Sequence, residues 1–324
     1  MGDPAGIGPE ILVKALAKSE LKRELNPLVV GDIDFLRKTA KSLESDVEFV
    51  CYDKAVEQPT ASNQILVFDL NNLQDEFPLG LESEVAGRAS AEYIIAAVDL
   101  WKNGQIDAIS TTPINKKALA MGGYDYPGHT EFIAELTDTK DFAMSFFAEK
   151  LCVVLLSTHV SLKDAIDLVK RDRLVKLVRF TNDKLSVLLK RRVKIAVAGL
   201  NPHASESGMF GNEEKNEISP AINECINRFD IDVCGPFSPD TVFLKGFQGE
   251  FDAVVSCYHD QATIAVKCLS FGASVNVTLG LPLVRTSVDH GTAYDIVGKN
   301  RADESSLESA LKLAAKFAGI QKRF

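Results

Sequence analysis

The sequence predicts an α/β protein built on a largely parallel sheet that is covered on both faces. Short β-branched runs alternate with longer amphipathic stretches, and this places strands in a sheet and helices over it. The 324 residues, 46% of them hydrophobic, exceed the roughly 150 residues of an average domain, so two α/β lobes or one large domain, with a substantial core, are expected. No internal repeat, low-complexity tract or long linker interrupts the chain. Two lobes must then be joined by crossing strands, not by a tether, and the cleft between them is where distant motifs can meet.

Strands are expected, in chain order, at Leu28–Gly31, Val47–Cys51, Ile65–Phe68, Ile106–Ser110, Cys152–Leu156, Val193–Ala198, Ala253–Cys257 and Val275–Thr278, each a short apolar run rich in Val and Ile. Apolar residues recur at three- and four-residue spacing in Glu10–Leu21, Ala86–Lys102, Ser161–Lys170, Asn212–Arg228 and Ser305–Gly319, which read as helices. The run Phe142–Ala148 suits a strand buried either in the core or at a subunit interface.

Composition narrows the function. A net charge of −9 and a pI near 5.2 argue against nucleic acid, whose phosphates demand clustered Lys and Arg. An anionic substrate would need a local basic pocket. The six cysteines form no Cys-x-x-Cys pair, and four lie in or beside apolar runs, as reduced thiols of a cytosolic protein do. No signal-like segment opens the chain and no uncharged apolar run is long enough to span a membrane, so a soluble, cytoplasmic protein is expected, with no membrane partner.

The five histidines all occupy short polar or glycine-containing segments: Pro-Gly-His129-Thr-Glu, Ser-Thr-His159, Asn-Pro-His203-Ala-Ser-Glu, Tyr-His259-Asp-Gln and Asp-His290-Gly-Thr. Imidazole binds zinc-class metals and anions, and strand-to-loop junctions are where active sites are assembled. His159, His203 and His259 each follow an expected strand. Because carboxyl ends of parallel strands line one crevice, the three can converge on a catalytic divalent metal; three separate hydrogen-bonding histidines are the alternative. Asp240 and Asp260 are the nearest carboxylates for supporting duty, or else cap helices.

Lys267, Asn276 and Arg285 recur at nine-residue intervals across an expected helix, strand and loop. The lysine and arginine stand in largely apolar stretches, which suggests an anion clamp against the alternative of solvated charges. His129 and Thr130 could complete it from the other lobe, unless Thr130 only caps a helix. The segment Gly2-Asp-Pro-Ala-Gly-Ile-Gly-Pro-Glu10 runs into a helix with Pro9 in its first turn. It reads equally as an anion cradle or as a tight turn. The sequence singles out no proton-transfer residue.

Asp289-His-Gly-Thr-Ala-Tyr-Asp-Ile-Val-Gly298 resembles the adenosine-binding loop of the isocitrate and isopropylmalate dehydrogenase superfamily. The resemblance implies a nicotinamide dinucleotide, NAD, held by His290, Gly291, Ala293 and Asp295. A non-redox phosphate-ligand enzyme or a metabolite-binding protein would leave that loop without a use.

Taken with Gly-Asp-Pro-Ala-Gly-Ile-Gly-Pro-Glu, Pro-Gly-His-Thr-Glu, Ser-Thr-His, Asn-Pro-His-Ala, Gly-Pro-Phe-Ser-Pro-Asp-Thr and Tyr-His-Asp-Gln, the loop completes an ordered set of motifs over residues 2 to 298. Together they resemble the 4-hydroxythreonine-4-phosphate dehydrogenase family of pyridoxal phosphate biosynthesis. The resemblance implies an isocitrate/isopropylmalate dehydrogenase-like fold of two α/β/α lobes, residues 1–128 plus 285–324 on the dinucleotide side and 129–284 on the metal and dimer side. It implies zinc, magnesium or cobalt on His159, His203 and His259, and a phosphorylated amino-acid substrate on His129, Thr130, Lys267, Asn276 and Arg285. A homodimer with a shared active site follows from the same likeness, as does NAD-dependent oxidation and decarboxylation of 4-phosphohydroxy-L-threonine; paralogues act on 4-phosphorylated threonate or erythronate. The sequence departs from the family in three places. It begins at Met1-Gly2 where the family usually has a β-strand before Gly-Asp-Pro-Ala-Gly, so either one strand is absent or the start is misassigned; it reads Ala-Ser-Glu-Ser-Gly-Met-Phe after Asn-Pro-His where Gly-Glu-Gly-Gly is commoner, and carries Ala262-Thr263 where Gly-Leu is usual.

Overall fold

The computed structural model describes residues 1–53, 61–73, 76–270 and 273–322. Two compact units emerge: Met1–Lys140 with Leu281–Ala318, and Asp141–Gly280 with the last residues from Gly319. His129 and Thr130, expected in the second lobe, therefore share a unit with Arg285.

The first unit opens with α1 (Gly8–Ala17) and α2 (Ser19–Glu24), then β1 (Leu28–Gly31), α3 (Ile33–Ser42), β2 (Glu48–Cys51), β3 (Gln64–Asp69), α4 (Glu84–Lys102), β4 (Ala108–Thr111), α5 (Lys116–Met121) and α6 (His129–Leu136). Side-chain caps start three of these helices: Asp32 accepts from Phe35 N, Ser83 from Ala86 N and Asn115 from Ala118 N. The single helix expected over Glu10–Leu21 is broken at Lys18, which is extended and whose ammonium pairs with Glu304 and Glu308. β3 lies between β1 and β2 in a parallel sheet. Buried Ile11, Leu16, Leu36, Phe49, Ile65 and Val67 pack there, each contributing roughly 1.5–3 kcal/mol of burial. Gly87 lets α4 meet α5, since a Cβ there would lie 1.7 Å from the Ala118 carbonyl oxygen.

The second unit runs β5 (Ala143–Ala148), β6 (Leu151–Leu155), α7 (Leu162–Asp167), α8 (Arg171–Leu189), β7 (Ile195–Ala198), a tight turn at Pro202–Glu206, a π-turn at Glu214–Ile218, α9 (Ser219–Phe229), β8 (Val233–Phe237), α10 (Pro239–Gln248), β9 (Ala253–Ser256), α11 (His259–Ser270) and β10 (Val275–Leu279). Its strands lie in the order β10-β5-β6-β9-β7-β8, antiparallel where β5 meets β10 and β6 and parallel elsewhere. β5, the run expected either in the core or at an interface, is flanked by strands on both sides, with Phe146, Phe147 and Ala148 buried. β8 carries Gly-Pro and is tolerated because it is the edge strand.

The chain then returns to the first unit with β11 (Val284–Ser287), a turn at Tyr294–Ile296 and α12 (Ser305–Lys322). β11 pairs in parallel with β4, placing Arg285 opposite Ile109. Arg285 was expected in a loop; it stands on a strand whose polar sequence gave no apolar signal.

Candidate active site

β6, β9 and β7 are adjacent and parallel, so their carboxyl ends open on one edge of the sheet, as the histidine pattern required. His159 follows β6 on an exposed turn, His259 is the first residue of α11 after β9, and His203 lies in the turn after β7. The rings of His159 and His259 have centroids 5.6 Å apart. Two imidazoles on one tetrahedral ion, with nitrogen–metal bonds of about 2.0–2.1 Å, place their centroids roughly 5 Å apart, so this pair fits a shared ion. Asp260 Oδ1 lies 2.7 Å from His259 Nδ1. A carboxylate on one ring nitrogen fixes the tautomer and leaves Nε2 for a metal. Both histidines, with Thr158, Leu162, Tyr258 and Asp260, line an open cavity of about 200 Å³.

His203 does not join them within the chain: among the described residues no three His, Cys, Asp or Glu side chains are gathered to hold a metal. Its ring lies 6.3 Å from that of Phe210, and its neighbouring carboxylate is Asp240, whose pKa the Ser238 hydroxyl lowers, with His203 adding a smaller effect. Asp240 is exposed in the first turn of α10. Residues 203 to 207 all have positive φ, from 44° to 66°. Non-glycine residues in this region cost roughly 1–2 kcal/mol each.

In the first unit, Arg285 is buried at 3% exposure. Its Nη2 donates to Thr111 Oγ1 at 2.8 Å and its Nη1 to Thr130 Oγ1 at 3.5 Å. Burial lowers its pKa to about 10, opposed by Glu131. Desolvation and the Arg285 charge hold His129 well below the ordinary histidine value, so its ring is neutral at pH 7. Thr130 lies inside the first turn of α6, whose N-cap is Gly128. Sequence reasoning missed Thr111, a hydroxyl at the end of β4 with no local pattern to mark it. A planar guanidinium beside two hydroxyls and a neutral imidazole is suited to a phosphate or carboxylate.

In the second unit, Lys267 is exposed on α11, and Asn276 on β10 has a buried Oδ1 without a hydrogen-bond partner among the described residues. The proposed clamp residues are thus divided between the units.

The Asp289–Gly298 loop is braced by the segment Gly2–Glu10. Ile7 N donates to Thr292 O at 3.0 Å, Tyr294 Oη to Asp3 Oδ2 at 2.5 Å, and Gly298 N to Glu10 Oε1. Gly6 permits the approach, since a Cβ there would lie 2.9 Å from Thr292 Cβ. Residues 1 to 13 are all buried, so the anion-cradle reading of this segment gives way to that of a packed turn. Desolvation raises the pKa of Asp3 against its hydrogen bonds from Tyr294 and Ala5. On the braced loop Ala293 is left-handed, Asp295 is exposed, and His290 Nε2 is buried without a hydrogen-bond partner among the described residues. An inward-facing ring nitrogen on an accessible loop suits the edge of a ligand.

Residues 23–314 match the family model described as pyridoxal phosphate biosynthetic protein PdxA. The chain belongs to the PdxA family. A curated relative from Oceanobacillus iheyensis, provisionally named D-threonate 4-phosphate dehydrogenase, is 45% identical, covering 98% of this chain and 96% of its own. A crystal structure of a 4-hydroxythreonine-4-phosphate dehydrogenase from Klebsiella pneumoniae aligns with a TM-score of 0.89 and 40% identity over 98% of each chain. The Burkholderia phymatum enzyme described by the same words aligns with a TM-score of 0.86 and 40% identity over 98% of this chain and 96% of that one. The two-lobed α/β fold class expected from sequence is that of these neighbours, and the family is one of dehydrogenases.

Proposed function

We propose that this PdxA-family dehydrogenase oxidises and decarboxylates 4-phosphohydroxy-L-threonine with NAD and a divalent metal. The observation that carries the reading is the buried Arg285 beside Thr111, Thr130 and neutral His129, a seat for the phosphate of a small phosphorylated acid. Lys267 would add a cation for the phosphate, and the buried Oδ1 of Asn276 an acceptor for a substrate hydroxyl or ammonium. His159 and His259 would hold zinc, magnesium or cobalt, with His203 as the third ligand and Asp260 fixing the His259 tautomer. His290, Gly291, Ala293 and Asp295 would hold the adenosine end of NAD on the braced loop. When bound, the ion supplies electrostatic stabilisation at the C3 oxygen and NAD supplies the hydride acceptor. Overall, the C3 alcohol becomes a ketone with a hydride passed to NAD and a proton released. The β-keto acid then loses CO2, leaving 3-amino-2-oxopropyl phosphate.

A homodimer belongs to the same reading, since His203 stands apart from the other two histidines within one chain. Exposed Val160, Leu162 and Met209 beside the histidine turns are suited to cover by a second copy. A cytoplasmic location belongs to the same reading; among the described residues no helix is long and apolar enough to cross a membrane.

The names of the curated relatives, at 42–45% identity, favour a second reading in which the substrate is D-threonate 4-phosphate. The two substrates differ in bearing an amino group or a hydroxyl at C2, and the threonate would yield dihydroxyacetone phosphate. The deciding experiment supplies NAD, a divalent ion and each phosphate in turn. NADH with 3-amino-2-oxopropyl phosphate supports the first reading and NADH with dihydroxyacetone phosphate the second. No NADH from either would overturn both.

A further inference from the structure

We infer that Gln261 is a positioning residue that couples the two turns bearing His203 and His259. It is buried at 9% exposure, two residues into α11 beyond His259. Its Oε1 accepts from Cys257 N at 2.8 Å, two residues before His259. Its Nε2 donates to Gly199 O at 2.7 Å, where the chain leaves β7 for the His203 turn. One amide therefore joins the carboxyl ends of β9 and β7, and its two faces leave no choice of register between them.

The join continues on both sides. Ser157 Oγ, two residues before His159, donates to Cys257 O at 3.0 Å and ties in the end of β6. Beyond Gly199, the backbone N–H groups of Leu200 and Asn201 donate to Glu214 Oε1 at 2.8 and 2.7 Å, and Asn201 Nδ2 donates to Glu214 Oε2 at 2.9 Å. Glu214 is buried at 3% exposure. A run of left-handed residues is held only where its surroundings over-determine it, and Gln261 with Glu214 supplies that determination at the start of the 203–207 turn. None of these side chains reaches a histidine ring, so their effect on the site passes through backbone placement. Buried polar belts of this kind fix one arrangement when every member is satisfied.

The inference deepens the proposed metal site and rests on that reading, so its test has one arm that needs no metal. Full-length protein carrying 15N-histidine is compared as wild type, Gln261→Met, which removes both hydrogen bonds at similar volume, and Gln261→Glu, which keeps the acceptor for Cys257 N and loses the donor to Gly199 O. In the metal-free arm, Gln261→Met is expected to shift the side-chain signals of His203 and His259 together while those of His129 and His290 stay in place. Gln261→Glu, which sets a carboxylate oxygen against Gly199 O, is expected to move His203 more than His259, and because it keeps one of the two hydrogen bonds it decides the matter should Gln261→Met fail to fold. In the second arm, Co2+ binding to Gln261→Met is expected to weaken about tenfold to a hundredfold, the range of supporting residues around metal ligands. Unmoved His203 and His259 signals in a folded variant overturn the coupling. Failure of the wild type to bind Co2+ overturns the metal reading alone, with the metal-free arm still deciding the role of Gln261.

Discussion

At the scale of single residues, burial and the buried Arg285 charge hold His129 neutral. A guanidinium without bulk solvent keeps its charge at a cost, and the same charge disfavours a proton on the neighbouring imidazole. Arg285→Lys replaces a planar fork with a point charge, so KM for the phosphorylated substrate is expected to rise about tenfold, equivalent to ~1.4 kcal/mol, with kcat less affected. Steady-state kinetics of the two proteins check this. His129 also sets a pH dependence of stability. Its native pKa lies below the unfolded value of 6.5, so below that pH the unfolded chain binds the proton that the native ring refuses. Stability is therefore expected to fall as pH drops through about 6.5, by up to ~1.4 kcal/mol per pH unit from this group. Urea unfolding near pH 7.5 and pH 5.5 should show a smaller loss in His129→Gln than in wild type. Arg285 was legible in sequence as a cation among apolar neighbours. Thr111 was not, because a hydroxyl gains its meaning only when a strand places it against a guanidinium.

At the scale of elements, the turn after β7 is the most strained part of the described chain, with five successive positive φ values and no glycine until Gly208. Ser207 is exposed, with φ of 60°. Glycine adopts that conformation freely, so Ser207→Gly is expected to stabilise by about 1 kcal/mol, read as a higher denaturant midpoint with unchanged slope. Lower stability in that variant would show that the Ser207 side chain contributes more than its backbone costs. The strand-rich periodicity of β6, β7, β9 and β10 was legible because each is buried and rich in Val, Ile or Ala. β8 was obscured by Gly-Pro, which edge position excuses, and β11 by polar side chains whose partners are supplied by tertiary structure. The break at Lys18 was equally invisible, since its partners Glu304 and Glu308 lie nearly three hundred residues away in sequence.

At the scale of the whole molecule, the proposed metal should act on the second unit far more through chemistry than through folding. His159 and His203 are exposed and His259 partly so, whereas that unit's core is built from Leu151, Val153, Val254 and their neighbours, none of which needs an ion. Three strand-end histidines were legible in sequence because each follows a clear strand. Their incomplete convergence was not, because a turn of left-handed residues decides where His203 faces. Removal of metal by a chelator is therefore expected to abolish turnover while leaving circular dichroism unchanged. Re-addition of Co2+ at about a hundredfold over its Kd should then stabilise by ~2.7 kcal/mol, a rise in Tm of several degrees for a protein of this size. His159→Ala and His259→Ala each remove one of the paired rings, and neither should show that rise although both fold. A chelated enzyme that keeps full turnover, or an equal Co2+ response in wild type and both variants, would dismiss the paired histidines as the metal's seat.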